Sequence, residues 1–84
     1  MADETVPHAL IEHYLPSDNL RHTLLARRGE WELWRTVTKR AHRQLRDRVD
    51  YQILERGEWA MMASRKDSAW LNFEYMAARE NIVN

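Results

Sequence analysis

The chain has no cysteine. A secreted domain of 84 residues usually leans on disulfides, because so small a core leaves a thin stability margin. Their absence points to a reducing compartment, and it excludes thiolate zinc sites and cysteine nucleophiles. Glycine and proline are scarce, two of each. That leaves no Gly-rich phosphate loop and no Pro-rich linker. Both prolines, Pro7 and Pro16, lie near the start, so almost nothing beyond Pro16 interrupts a helix. Long hydrophobic runs are missing too. The longest is Trp59-Ala60-Met61-Met62-Ala63, far short of the ~20 residues a membrane span needs. Met1-Ala2-Asp3-Glu4 is acidic where a signal peptide would be basic. The expected setting is cytoplasmic, with no membrane contact.

What is present is apolar bulk. The nine Leu, three Ile, four Val, four Met, four Trp, three Tyr and one Phe suffice for one small core and leave a surplus. Tryptophan is enriched at binding hot spots, so the surplus suggests a docking surface. Net charge is zero, but the charge is not evenly spread. Residues 1–20 carry four acids and no Lys or Arg, while residues 21–48 carry nine bases against three acids. Such a basic middle is either neutralised by the chain's own acids or turned toward an anionic partner.

Strands find no clear support, because apolar and polar residues never alternate over a useful length. The expected fold is therefore all-α: a single domain over 1–84, frayed over 1–6, forming a bundle of four to five helices without disulfides. Pro7 opens a helix over about 8–15 and Pro16 ends it. Ser17 or Asp18 caps a second helix to Arg28, with Gly29 as its C-terminal cap. A long segment follows over 30–56, as one helix or as two broken near 49–52. Helical residues resume at 58–65, and Asp67 or Ser68 caps a last helix to about Glu80. Arg28-Gly29-Glu30-Trp31 recurs as Arg56-Gly57-Glu58-Trp59. The repeat reads either as a duplicated helix pair or as two helix–Gly–helix junctions of convergent sequence.

On a helical wheel the middle segment separates well. Trp31, Trp34, Val37, Ala41, Leu45 and Val49 form a core stripe. Arg35, Lys39, His42, Arg43 and Arg46 gather on the adjoining face, as candidates for binding an anion or an acidic partner. The last helix is apolar on most sides: Trp70, Phe73 and Ala77 on one, Leu71, Tyr75, Ala78 and Ile82 on another. Its surplus face serves either the core or an interface. Trp70, Phe73, Tyr75 and the adaptable Met62 are the candidate hydrophobic anchors for a partner.

Chemistry finds little support. The four histidines His8, His13, His22 and His42 show no metal-ligand spacing. Ser17 and Ser68 read as caps, and no nucleophile motif occurs. No catalytic residue, metal or cofactor is expected. The expected role is a protein-binding module: an inhibitor, regulator, adaptor or assembly factor of a larger complex, of the kind phages and mobile elements encode, with homodimerisation among its expected contacts. The alternative is a nucleic-acid-binding or transcriptional regulator acting through the basic face. A third reading is an accessory subunit of an enzyme complex.

Overall fold

The computed structural model describes residues 6–14, 19–39 and 46–82, with side chains through 79. The expected helical bundle is overturned. Four antiparallel strands, β1 (Asn19–Arg28), β2 (Trp31–Lys39), β3 (Arg48–Glu55) and β4 (Glu58–Ala63), form one sheet in the order β1-β2-β3-β4. A short helix α1 (His8–His13) precedes the sheet and a longer helix α2 (Lys66–Ile82) follows it. The two terminal helices thus lie close to their expected positions. Where they are described, the helices expected over 17–28, 30–56 and 58–65 are strands with the turns and short links between them, and none is helical.

The repeated tetrapeptide explains the difference. Both copies are hairpin turns, and neither joins two helices. Gly29 has φ +58° and is the first of the two residues between β1 and β2, the place where a type II′ turn needs glycine. Arg56 and Gly57, at φ +53° and +79°, are the two residues between β3 and β4, and both lie in the left-handed region a type I′ turn requires. The turns lie side by side. The Arg56 N–H donates to the Glu30 carbonyl at 2.9 Å, and the two side chains form an ion pair. Trp31 and Trp59 nevertheless take opposite faces of the sheet. Trp31 pairs with Glu55 and Trp59 with Leu54, and neighbours along β3 point to opposite sides.

The missing alternation has a physical cause as well. The two central strands are covered on both sides. In β3, Asp50 through Leu54 are all buried, and in β2 Leu33, Trp34 and Thr36 are buried. A strand buried on both faces has no polar face to alternate with. Trp31 and Trp34, placed together by a helical period, face opposite sides in a strand.

One face packs under α2. Leu33, Tyr51 and Ile53 of the sheet meet Ala69 and Phe73 of the helix, and Trp31, Val49, Met61 and Trp70 close the edges. The other face packs under α1, where Leu10 seats against Trp34 and Leu54, bordered by Leu24 and Trp59. Register irregularities at Leu25 and Ala60 adjust which side chains reach which face. The one at Ala60 sets Met61 opposite Ile53 on the α2 side and Met62 opposite Gln52 on the other. Among the described residues no helix is long and apolar enough to cross a membrane.

Candidate functional site

Three places hold polar or exposed apolar groups that a simple two-sided core does not need.

The first lies on the α1 side. Consecutive rungs of the sheet set His22 opposite Thr36 and Asp50, and Leu24 opposite Trp34 and Gln52. Thr36, Asp50 and Gln52 are buried. Their hydrogen bonds form a chain. His22 Nδ1 lies 2.7 Å from Thr36 Oγ1. Thr36 donates to Gln52 Oε1 at 3.1 Å, and Gln52 Nε2 donates to the Tyr14 hydroxyl at 2.6 Å. Tyr14 donates to Asp50 at 3.4 Å, and the Arg48 guanidinium donates to the same carboxylate at 3.1 Å. Thr36 spends its hydrogen on Gln52, so the neutral His22 ring carries its proton on Nδ1 and donates it to Thr36. Burial, with the Asp50 carboxylate beside it, raises the Tyr14 hydroxyl above its ordinary 10.0. Burial also lowers His22 below 6.5. Every bond in the chain has a partner, and Thr36 and Gln52 have no exposed surface to offer a substrate. The network ties the segment after α1 to the sheet. Among the described residues, no group of three His, Cys, Asp or Glu side chains could hold a metal ion.

The second place is the outer side of α2. Phe73, Ala69 and Ala77 are buried beneath the helix, whereas Leu71 is 73% exposed and Tyr75 62%. One helical turn separates these last two, so they form a single apolar strip that the exposed Ala78 extends. Arg79 lies over the Tyr75 ring at 5.9 Å.

The third place is the end of the sheet near the start of α2, on the same side as that helix. Arg35 and Lys39 share this face of β2, and Arg21 of β1 pairs with Val37 between them. Unlike Arg27, Arg28 and Arg48, none of the three makes an ion pair among the described residues. The Arg35 Nε–H is buried and has no acceptor among the described residues. Glu74 pairs with Arg28 at 2.6 Å, which fixes the flank of α2 that looks toward β1. By helical periodicity Trp70 and Lys66 lie on that same flank. Arg65, Lys66, Asp67 and Trp70 line an open groove of about 580 Å³ at the start of α2, and Arg21, Arg35 and Lys39 are not among its described lining residues.

The residues singled out from the sequence therefore separate. Phe73 is core, and Trp70 is half-buried with its ring edge-on to Phe73 at 6.1 Å. Tyr75 is on the outer strip, and Met62 is exposed on β4, on the opposite side of the sheet from α2. Of the basic group, Arg35 and Lys39 share a face, and Arg46 is exposed just before β3. His42 and Arg43 lie outside the described residues. Where the wheel's residues are described, Arg35 and Lys39 lie in a strand and Arg46 lies in neither helix. Arg21 and Lys66 were missed, because only the β1–β2 register and the α2 flank bring them toward Arg35. The polar chain was missed as well. Its sequence signal is polar residues two apart, Asp50 and Gln52, which are neighbours on one face of a strand and not of a helix.

Comparisons with protein-family models, with curated proteins and with solved structures find no match.

Proposed function

We propose that the chain is a protein-binding module with no chemistry of its own, acting as an inhibitor, regulator, adaptor or assembly factor of a larger complex. One observation carries this reading: Leu71 and Tyr75 stand exposed one turn apart on a helix whose opposite side is fully engaged with the sheet. Monomeric proteins scatter exposed apolar residues singly. Two large ones aligned with Ala78 along one helix make a strip that an apolar groove on a partner would read at i, i+4 and i+7. Tyrosine supports the reading further, since it joins a wide apolar ring to a polar tip and is frequent at hot spots. The lack of cysteine supports a reducing, cytoplasmic setting for the encounter.

Photo-crosslinking tests the reading. A photoreactive residue replacing Leu71 should yield a specific adduct with a cellular protein, and the same residue replacing Glu58 should not. The adduct should vanish when Tyr75→Glu is added. Light scattering of the pure chain separates self-association from a different partner, since a homodimer through this strip would be broken by Tyr75→Glu alone. If crosslinking from position 71 is no more specific than from position 58, the reading falls.

A further inference from the structure

We propose that the cationic end of the α2-side sheet face, built on Arg21, Arg35 and Lys39 with Lys66 and Trp70 beside it, binds the backbone of a single-stranded nucleic acid. This surface is separate from the outer strip of α2, so the two proposals stand or fall independently.

Placement is the first support. Arg35 and Lys39 lie about 13 Å apart along β2 at the usual strand rise, and Arg21 sits across from the midpoint. Each step between cations is therefore a diagonal neighbour distance, about 7–8 Å. Like charges so close repel, and here no acidic side chain among the described residues pairs with any of the three. Four of the other described arginines show the contrast, while Arg46 before β3 and Arg79 near the end of α2 also make no ion pair among the described residues but stand singly. Arg27 holds Glu32, Arg28 holds Glu74, Arg48 holds Asp50 and Arg65 holds Asp67. A regularly spaced row of unpaired cations suits a ligand that carries regularly spaced anions.

The second support is the buried Nε–H of Arg35. A buried donor without an acceptor is unfavourable in the free protein, and the penalty is relieved when an acceptor arrives. A turn of the half-buried Arg35 side chain that brings Nε to the surface lets a phosphate oxygen meet that need, and the planar guanidinium fork suits two-point contact with phosphate.

The third support is the groove. Its lining is largely apolar around Trp70, and it also includes Lys66, with Asp67 turned to Arg65. Cations that track a backbone, set beside an aromatic ring on which a base can stack, are the two parts a single-strand site combines. An acidic peptide would use the cations but would gain nothing specific from a flat ring. A duplex would need a protruding helix or ribbon to enter its groove, and here the cations lie on a sheet face beside a helix.

The test uses the full chain and fluorescein-labelled dT and U oligonucleotides of about a dozen nucleotides, followed by anisotropy at about 50 and 200 mM salt. Wild-type protein should bind at low salt and weaken steeply at high salt. The exposed pair Arg21→Gln with Lys39→Gln should weaken binding at least tenfold and lower the log–log salt slope by about 0.7 for each cation that contacts a phosphate. Trp70→Leu should weaken binding while leaving that slope unchanged. Arg35→Met should weaken binding while its melting temperature stays level or rises, because no intramolecular partner is lost. Arg79→Gln, at the far end of α2, should bind as wild type does. Several results overturn the proposal: no binding at 50 mM salt, binding that the Arg21/Lys39 pair does not weaken, equal affinity for duplex DNA, or preference for a poly-glutamate peptide over either oligonucleotide.

Discussion

The two faces of the sheet treat buried polar groups in opposite ways. On the α1 side, Thr36, Gln52 and Asp50 are buried and each hands its hydrogen-bonding capacity to a neighbour, out to His22, Tyr14 and Arg48. On the α2 side, the core is apolar, and the one buried side-chain donor left over, the Arg35 Nε–H, has no acceptor among the described residues. The difference is informative because both arrangements are unfavourable to build. A satisfied network repays its desolvation within the fold, so it needs no ligand to explain it. An unsatisfied cation repays nothing within the fold, and so it directs attention to a ligand. Polarity alone does not mark a functional surface; polarity left without a partner does.

The sharpest way to break the comparison is to empty the apolar side. Phe73 has no exposed surface and joins α2 to Leu33, Tyr51 and Ile53. Phe73→Ala should cost about 3–5 kcal/mol, a large share of the stability of so small a domain. In urea titration its midpoint should fall below that of any other single substitution described here. A midpoint near wild type would mean that α2 is not anchored on this face.

Removing one member of the polar chain comes next. Gln52→Leu removes the acceptor of the Thr36 hydroxyl proton and the amide that donates to the Tyr14 hydroxyl oxygen, for about 1–3 kcal/mol. Thr36→Val should act alike. The double variant should cost less than the sum, since each change removes a partner the other would leave stranded. Strict additivity in the double-mutant cycle would show that Thr36 and Gln52 are not coupled.

The ends of the sequence were legible, and the middle was not. Pro7 placed the start of α1, and the run from Asp67 placed α2 approximately, although α2 begins at Lys66, ahead of both residues expected to cap it. The strands depend on partners far away in sequence. Trp31, Trp34 and Val37 fit a helical stripe as well as they fit β2, and only burial on both faces decides between the two. The turns were visible as Gly29 and Gly57, yet a glycine after a run of arginines reads equally as a helix cap or as the hinge of a hairpin. The site was legible in part. Arg35 and Lys39 stayed together because positions four apart share a face in a strand as well as on a helix. Arg21 is 14 residues from Arg35 and joins it only through the β1–β2 register.

A smaller effect tests the network through pH. The folded chain favours the neutral form of both titrating groups, by raising Tyr14 and lowering His22. For Tyr14 the contribution is fully present below 10.0, its unfolded value, and is lost as pH rises through the higher folded value. For His22 the contribution is fully present above 6.5 and is lost as pH falls toward the lower folded value. Both contributions therefore hold together between these limits. His22→Asn keeps an N–H donor for Thr36 but no longer titrates. It should flatten the fall in urea midpoint just below pH 6.5 and leave the alkaline fall in place. An unchanged acid limb would assign that limb to other groups.

The smallest expected effect is also the most useful control. Leu71 and Tyr75 lie on the same helix as Phe73, yet 73% and 62% of their surfaces are already in water. Leu71→Ser and Tyr75→Ser should each move stability by no more than about 0.5 kcal/mol, apart from a few tenths of helix propensity. The fold has no visible use for these residues, so two large apolar side chains there need an explanation outside it. A loss of 2 kcal/mol or more in either variant would show that the strip packs against the chain itself, and α2 would then be a core helix on every side. A near-zero change, beside the large one at Phe73, divides the helix into a half that folds the protein and a half left free to meet something else.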